Sequence, residues 1–332
     1  MLILKNITPT FALLFPGQGS QYIGMCAELI QQFAVAEEVF EEANQVLNFD
    51  LRSLILNGNI NELTLSENAQ PAVVTASYAL FRVFEELIDG KPVCAAGHSL
   101  GEISALIAAG ALSFSDGLLY ARKRGELMHH AVQEKKGGAG IVVDLDVKTL
   151  NTLIDSIKPY DYVTISGYNS PRQFIVAGTS SALLLLEKEV DKNGGEFIPF
   201  KMMPMKVDSP YHSNLMAFLT PQFRKILPSI KFKKTNFDIW STITAKVITL
   251  SDSISDILCN QLILPVCWNQ VLKGMCKAGV ELLIDIGPQE IMSNLVKENP
   301  GLPISLAFDS KNDKEKIIRN LSKRLRIGNG TR

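Results

Sequence analysis

A pentapeptide at residues 97–101, Gly-His-Ser-Leu-Gly, contains a serine that could act as a nucleophile. A serine hydroxyl reacts when a hydrogen-bonded base accepts its proton, and imidazole is the side chain suited to this task near neutral pH. A hydrolytic or acyl-transfer reaction at Ser99 would therefore take its base from the four histidines of the chain, which are His98, His129, His130 and His212.

The residues on either side of Ser99 predict the sharp strand-to-helix turn that such a nucleophile requires. Residues 93–96 (VCAA) are typical of a short buried strand, and residues 102–111 (EISALIAAGA) are typical of a buried helix. Glycines flanking the turn allow the backbone to bend sharply. The Ser99 hydroxyl would then leave the sheet beside the Leu100 N–H and the helix N-terminus, where an oxyanion is stabilised. The alternative interpretation is a structural turn with an incidental serine.

The other elements that must position this turn indicate an α/β protein. Residues 11–15 (FALLF) form an apolar run ended by Pro-Gly, which predicts a buried strand. Apolar residues at helical spacing predict one helix or a pair of helices over residues 25–47, and a helix over residues 71–87 that begins with Pro71 in its first turn. Further elements are predicted as strands at 238–242, 247 and 282–285, a helix at 271–278 and a basic amphipathic helix at 311–326.

Residues 138–203 have a different order of elements. They predict a strand, a helix, two strands joined by a turn, a second helix and a last strand, at residues 140–145, 147–157, 162–168, 173–177, 180–193 and 197–201. This βαββαβ order is that of a ferredoxin-like domain. We therefore expect a large α/β domain formed by residues 1–135 and 204–332, with a small ferredoxin-like domain inserted at residues 136–203.

The composition argues against several kinds of partner and compartment. Because 33 Lys and Arg balance 34 Asp and Glu, the formal net charge is −1, and we expect neither nucleic acid nor a membrane as partner. No apolar run approaches the ~20 residues that span a bilayer. The five cysteines include no C-x-x-C pair, which argues against a zinc site or a disulfide framework. A reducing, cytoplasmic location is the simplest prediction.

Three motifs carry a resemblance to a known family. They are Phe-Pro-Gly-Gln-Gly-Ser-Gln at residues 15–21, Gly-His-Ser-Leu-Gly-Glu at 97–102 and Arg-Lys-Arg-Gly at 122–125. In combination they resemble the malonyl-CoA:acyl carrier protein transacylases, which include stand-alone enzymes of fatty acid synthesis and acyltransferases of polyketide synthases. The resemblance runs from about residue 11 to about residue 299. It implies a hydrolase-like α/β domain with an inserted ferredoxin-like domain, in agreement with the order of elements above.

The resemblance implies catalytic roles for several matching residues. Ser99 would become acylated, and His212, within Ser-Pro-Tyr-His-Ser at residues 209–213, would be the general base. The backbone carbonyl of Gln261 would orient His212. The backbone N–H groups of Gln18 and Leu100 would form the oxyanion hole.

Other matching residues would bind the acyl group. Arg124 matches the arginine that holds the malonyl carboxylate, which a guanidinium can grip through two parallel hydrogen bonds. Arg122 competes for this role, but the two side chains project about 200° apart on a helix, so only one can face the pocket, and the spacing in the family favours Arg124. The bulky Tyr211 resembles malonyl-selective members, and its hydroxyl could favour a small polar α-substituent.

The function that follows is transfer of malonyl from CoA to the phosphopantetheine thiol of an acyl carrier protein, by a ping-pong reaction without a cofactor or metal. We expect a monomer. Two alternatives remain open: a donor with a small polar α-substituent, and an acyl hydrolase that clears stalled carrier proteins, although a buried Arg124 argues against uncharged acyl groups. Basic clusters at residues 231–234 and 311–326 could dock an acidic carrier protein, or could be solvated faces only. Asp208 is interpreted as structural.

Overall fold

The computed structural model describes residues 9–203, 209–249 and 252–322. The strands in these ranges are β1 (Phe11–Phe15), β2 (Cys94–Gly97), β3 (Gly138–Val143), β4 (Val163–Ser170), β5 (Gln173–Gly178), β6 (Glu196–Pro199), β7 (Asp238–Ser241), β8 (Lys246–Val247), β9 (Leu282–Asp285) and β10 (Ile304–Ala307).

The helices of the N-terminal part are α1 (Ala27–Gln32), α2 (Ala34–Leu47), α3 (Leu51–Asn57), α4 (Ile60–Leu63), α5 (Ser66–Leu87), α6 (Gly101–Ala108) and α7 (Phe114–Gln133). The helices of the remaining part are α8 (Val147–Ile157), α9 (Ser180–Lys192), α10 (Thr220–Ile226), α11 (Ile254–Asn260), α12 (Trp268–Lys277), α13 (Ile291–Lys297) and α14 (Lys311–Leu321). Short 3₁₀ helices lie at Phe200–Met202, Asn214–Leu219 and Leu227–Ser229.

Six strands form a sheet in the order β10-β9-β1-β2-β7-β8, in which all neighbours are parallel except β7 and β8. The central strand β1 is buried throughout, because helices cover both faces of the sheet. Phe11, Leu13 and Phe15 pack into the larger apolar cluster, whereas Ala12 and Leu14 face the cluster on the opposite side. This alternation is the expected pattern for a central strand of a parallel sheet.

The second sheet has four strands in the order β4-β5-β3-β6, and every neighbouring pair is antiparallel. The helices α8 and α9 belong to the same part of the chain, and their apolar faces join a separate core that includes Leu150 and Leu186. The order of elements and the antiparallel pairing are those of the ferredoxin-like arrangement. The expected fold class, a hydrolase-like α/β domain with a small ferredoxin-like domain, is confirmed.

The small sheet is tied to the rest of the protein by backbone hydrogen bonds as well as by the chain. The Tyr168 N–H on β4 donates to the Val266 carbonyl, and the Val266 N–H donates to the Ser166 carbonyl, at 2.8 and 3.0 Å. The small sheet is thereby fixed beside the segment that precedes α12. The exact division at residues 135/136 and 203/204 stays a prediction, and residues 204–208 lie outside the described residues.

The expected start of one helix was wrong. The helix α5 begins at Ser66, so Pro71 lies inside it and not in its first turn. Proline has no N–H and leaves the carbonyl four residues earlier without its helical partner. Here that carbonyl belongs to Glu67, and the Arg122 guanidinium donates to it at 3.0 Å. A hydrogen bond from α7 therefore compensates for a proline that the sequence pattern places at a helix start.

Other differences concern the C-terminal part. The helices α10, α11 and α13 and the strand β10 were not anticipated, because each is a short run of four to seven residues. The basic helix expected at residues 311–326 is α14 up to Leu321, and residues 323–326 lie outside the described residues. No helix in the described part of the chain is both long and apolar enough to cross a membrane.

Candidate active site

Ser99 occupies the turn between β2 and α6 with a left-handed backbone conformation, φ 52°. The flanking glycines are required by close backbone contacts. A Cβ on Gly97 would lie 1.8 Å from the Gly101 carbonyl carbon, and a Cβ on Gly101 would lie 2.2 Å from the Phe15 carbonyl oxygen. The turn therefore tolerates no side chain at position 97 or position 101.

His212 meets Ser99 although 113 positions separate the two residues. The Ser99 Oγ lies 2.8 Å from His212 Nε2, and His212 Nδ1 lies 2.6 Å from the backbone carbonyl of Gln261. Because a carbonyl only accepts, Nδ1 carries the proton and donates to Gln261, which leaves Nε2 free to accept from the serine hydroxyl. His212 also has a left-handed backbone, φ 59°.

The surroundings of His212 favour its neutral form. Burial first, and the positive charge of Arg124 second, lower the pKa of His212 to about 3. At neutral pH the imidazole is therefore uncharged and can accept a proton.

Arg124 projects from α7 toward the nucleophile and is only 2% exposed. Its Nη2 donates to Ser99 Oγ at 3.1 Å, and its Nη1 donates to the Gln70 side-chain oxygen at 2.9 Å. Within the described residues Arg124 takes part in no ion pair. A buried guanidinium without a counter-charge is costly unless an anion binds beside it.

The structure shows which of the two arginines, Arg122 or Arg124, faces the pocket at Ser99. Arg122 donates to the Glu67 carbonyl and, at 2.7 Å, to the Asn68 side-chain oxygen, so it faces α5. Arg124 is the one that reaches Ser99. The expectation that only one of the two could face the pocket is met.

Gln70 is a site residue that the sequence did not reveal. It is fully buried on α5, accepts from Arg124 and donates to the Gln18 side-chain oxygen at 3.1 Å. The Gln18 amide in turn donates to Ser66 Oγ at 3.1 Å. The signal that could have identified Gln70 is a single amide in the otherwise apolar run at residues 69–74.

A pocket of about 100 Å³ opens beside Ser99. It is lined by Gly17, Gln18, His98, Ser99, Arg124, Met128, Ala139, Ile175, Phe200, Tyr211 and His212. Residues of the small sheet and the 3₁₀ helix after it supply part of its apolar wall. The pocket therefore gathers Ser99, His212, Arg124, Gln18 and Tyr211. Gln261 contacts it through His212, and the buried Leu100 follows Ser99 at the start of α6.

The other three histidines have different partners. His98 Nε2 lies 3.0 Å from the Asn169 side-chain oxygen, and the ring packs edge-on against Trp268. Burial lowers the pKa of His98. His129 is partly buried and lies 3.2 Å from Glu67 of α5, whereas His130 is exposed and lies near Glu134. Among the described residues, none of these three side chains makes a hydrogen bond to Ser99 Oγ. His98 makes the hydrogen bond expected of it, and its exclusion as the base stays a prediction.

The basic cluster considered for carrier-protein docking lies away from the pocket at Ser99. Lys233 and Lys234 line a cleft with Asp238 and Asp252 that shares no residue with the pocket at Ser99. No group of three or more His, Cys, Asp or Glu side chains suited to a metal ion occurs in the described part of the chain. Asp208 lies outside the described residues.

Comparisons with known proteins identify relatives over most of the chain. The model of the family described as "Acyl transferase domain" matches residues 12–301. The chain is 38% identical over 289 residues to the malonyl CoA-acyl carrier protein transacylase of Bacillus subtilis strain 168, covering 86% of this chain and 89% of the relative. It is 33% identical over 287 residues to the Escherichia coli K12 protein of the same name, covering 86% and 92% of the two chains.

Solved structures agree with the sequence matches. The malonyl CoA-acyl carrier protein transacylase from Clostridium perfringens superposes with a TM-score of 0.87 at 30% identity, over 96% of this chain and 99% of that one. A malonyl-transacylase solved in complex with a type II PKS acyl carrier protein superposes with a TM-score of 0.86 at 31% identity, over 94% and 99%.

Proposed function

The chain belongs to the acyl transferase family, and from this premise we propose that it moves a malonyl group from malonyl-CoA to the phosphopantetheine thiol of an acyl carrier protein. It is an acyltransferase, and its relatives include an enzyme solved with its carrier protein. The product supplies extender units for fatty acid or polyketide synthesis. The reaction is ping-pong, with a malonyl ester of Ser99 as the intermediate.

In the first half-reaction, His212 Nε2 accepts the proton of the Ser99 hydroxyl as Oγ attacks the thioester carbon. The 2.8 Å contact between the two side chains supports this step. The C–O bond forms, negative charge collects on the former carbonyl oxygen, and the Gln18 and Leu100 N–H groups donate to it. Collapse of the tetrahedral intermediate breaks the C–S bond, and His212 returns the proton to the CoA sulfur.

In the second half-reaction, His212 accepts the proton of the carrier-protein thiol, and the sulfur attacks the malonyl ester carbon. The C–S bond forms, the C–O bond to Ser99 breaks, and the proton returns to Oγ. The Gln261 carbonyl, 2.6 Å from Nδ1, keeps the imidazole in the tautomer that both steps need. All proton transfers are assigned to side chains of this chain, and we propose that no cofactor or metal takes part.

The observation that carries the malonyl assignment is the position of Arg124. Its guanidinium is buried, contacts Ser99 Oγ at 3.1 Å and has a positive charge that an acyl carboxylate would neutralise. An uncharged acyl chain would leave that charge unpaired, so the geometry favours a dicarboxylic donor over the substrates of an editing hydrolase.

The test is intact-mass measurement after mixing the protein with malonyl-CoA, and then adding a phosphopantetheinylated carrier protein. We expect one malonyl group on the wild-type protein, its loss when the carrier is added, and no adduct on Ser99→Ala. No adduct on the wild-type protein would contradict the proposal. Release of free malonate without loading of the carrier would identify the hydrolase instead.

A narrower question is the α-substituent of the donor. Tyr211 lines the pocket, and its phenol ring supports selection for a small group on the malonyl α-carbon. A competition assay with malonyl-, methylmalonyl- and hydroxymalonyl-CoA tests this. Preference for the hydroxylated donor, lost in Tyr211→Phe, would replace malonyl as the proposed unit.

The remaining parts of the proposal concern the oligomeric state, the carrier protein and the cellular compartment. We propose that the enzyme acts as a monomer on an acidic carrier protein in the reducing cytoplasm, and the five free cysteines support the compartment. The cluster at Lys233 and Lys234 is one candidate dock, and α14 is another. Charge reversal at the true dock should raise the KM for the carrier protein without changing loading from malonyl-CoA.

A further inference from the structure

A carboxyl group lies buried below the serine turn, three residues after the nucleophile. Glu102 is in the first turn of α6 and has no solvent exposure. Its Oε2 accepts from Thr242 Oγ1 at 2.9 Å, from the Thr242 N–H at 3.3 Å and from Gln261 Nε2 at 2.9 Å. One oxygen therefore ties together three segments: the start of α6, the residue after β7 and the residue after α11.

Gln261 is the link between this carboxyl group and the reacting atoms. Its side chain donates to Glu102 and approaches the Ser99 carbonyl at 3.4 Å, while its backbone carbonyl accepts from His212 Nδ1. The Gln261 side chain thus faces Glu102, and the Gln261 carbonyl faces His212.

The backbone around Gln261 needs such an anchor. Gln261 follows the seven-residue helix α11, and the chain turns immediately after it, with the Leu264 N–H donating back to Asn260. The last residue of a short helix frays readily, so helical hydrogen bonds alone do not fix the direction of its carbonyl. The Gln261 side chain held by Glu102 supplies the missing constraint.

We propose that Glu102 is a positioning residue, whose carboxyl group holds Gln261 so that the Gln261 carbonyl orients His212 toward Ser99. The inference rests on the proposed function of Ser99 and His212. If position 102 served only to fill the core, an apolar residue would do so without the desolvation free energy that a buried carboxyl group costs. Instead, Glu102 Oε1 and Gln261 Oε1 are buried without a hydrogen-bond partner within the described residues.

The chemistry of Glu102 suggests the conservative replacement. Burial raises the pKa of Glu102, so its environment favours an uncharged group. A glutamine at this position keeps an oxygen that can accept from the donors of Thr242 and Gln261. Glu102→Gln should therefore preserve the anchor that Glu102→Ala removes.

The experiment measures kcat and the KM for malonyl-CoA in malonyl transfer, together with the melting temperature. For Glu102→Ala we expect kcat to fall by ~10- to 100-fold, because small displacements of catalytic groups have effects of this size. KM should change less than about 2-fold, since no substrate contact is removed. Glu102→Gln should restore kcat to within about 3-fold of the wild type.

Thr242→Val is the matched control. It removes one hydrogen bond to the same carboxyl group without touching Gln261, so it should lower stability but leave kcat within about 3-fold. Gln261→Met keeps the backbone carbonyl and removes only the side-chain contact with Glu102. We expect it to lose as much kcat as Glu102→Ala, and it tests the proposal even if Glu102→Ala does not fold.

The inference is overturned if folded Glu102→Ala or Gln261→Met keeps the wild-type kcat, if Glu102→Gln falls as far as Glu102→Ala, or if Thr242→Val does so. Failure of the proposed function has a different result, in which the wild-type protein forms no malonyl adduct. In that event the rate at which a fluorophosphonate labels Ser99 replaces kcat, and the same ranking of variants is expected.

Discussion

The six-stranded and the four-stranded sheet contribute different things to the same pocket. The large sheet and its connecting segments supply the groups assigned to the reaction: Ser99 after β2, His212, and Arg124 on α7. The small sheet and its following turn supply apolar wall, including Ile175 and Phe200. The groups assigned to bond making and breaking thus all lie outside the small sheet, which contributes only pocket wall.

The backbone at the reacting groups also differs from the backbone at the small-sheet wall residue Ile175. Ser99 and His212 both have left-handed backbones, with φ 52° and 59°. Such conformations in non-glycine residues cost of order 1–3 kcal/mol each and persist where surrounding structure enforces them. Ile175 has extended strand backbone and is paired antiparallel with Ile141 and Gly167, beside a register shift in β4. The comparison predicts that changes to Ser99 or His212 abolish turnover, and that changes to the apolar wall supplied by the small sheet alter selectivity.

The largest effect should follow from His212→Ala. We expect malonyl transfer to fall by ~10⁴-fold or more, since loss of the base alone removes most of the catalysis by a serine nucleophile. Steady-state kinetics with malonyl-CoA and carrier protein provides the measurement. His130→Ala, at an exposed position of α7, is the control and should stay within about 2-fold. A His212→Ala enzyme within 10-fold of wild type would remove His212 from the proposed mechanism.

Arg124→Ala should have the next largest effect, and the size of that effect should depend on the acyl donor. We expect loading from malonyl-CoA to fall by ~10²- to 10³-fold, because the substrate carboxylate loses its charged partner, while loading from acetyl-CoA rises relative to it. Arg122→Ala is the matched control: it loses the contacts with Glu67 and Asn68, so stability should fall without a change in this ratio. Equal losses for both donors in Arg124→Ala would contradict the carboxylate-binding role.

The pH dependence should show how the site suppresses protonation of its base. With the pKa of His212 lowered to about 3, kcat/KM should persist at pH 5, where an ordinary imidazole of pKa ~6.5 would be about 30-fold depleted in its neutral form. Pre-steady-state loading of Ser99 between pH 4 and 8 measures this limb. Half-maximal loading near pH 6.5 would show that the site leaves the imidazole unperturbed.

The same lowered pKa has a consequence for stability. Between pH 6.5 and 3 the unfolded chain binds a proton at His212 that the folded protein does not, so the free energy of unfolding should decrease as pH falls through this window. Burial lowers the pKa of His98 as well, which adds to the slope with the same sign. His212→Gln should therefore reduce, and not abolish, the pH dependence of denaturant unfolding.

The local parts of this organisation could be predicted from sequence, and the non-local parts could not. The turn at Ser99 could be recognised because its glycines, the strand before it and the helix after it lie within a few positions of one another, although the Gly101 backbone itself packs against the distant Phe15 carbonyl. The pairing of Ser99 with His212 came from the resemblance, since no spacing rule connects positions 113 apart. Gln70 was missed because its partners belong to other elements.

Positions on the small sheet were missed for a related reason. The strand pattern predicted β5, but which of its side chains faces the pocket depends on how the small sheet docks on the large domain. That docking uses backbone hydrogen bonds between β4 and the segment at Val266, and backbone contacts leave no compositional signal. The prediction of where α5 starts was wrong for a similar reason. The Arg122 hydrogen bond that compensates for Pro71 comes from another helix, and the local sequence does not show it.

The smallest expected effect tests the small-sheet side of the comparison directly. Phe200→Ala removes apolar wall from the pocket, so methylmalonyl-CoA should gain on malonyl-CoA by roughly 10-fold or less, the scale of one methyl group in an apolar pocket. The malonyl kcat should stay within about 3-fold, because Ser99, His212 and Arg124 keep their contacts. Leu184→Ala, at an exposed position of α9, is the control. If Phe200→Ala instead lowered kcat for both donors by 100-fold, the small side would also position the reacting groups, and the division between the two sheets would be wrong.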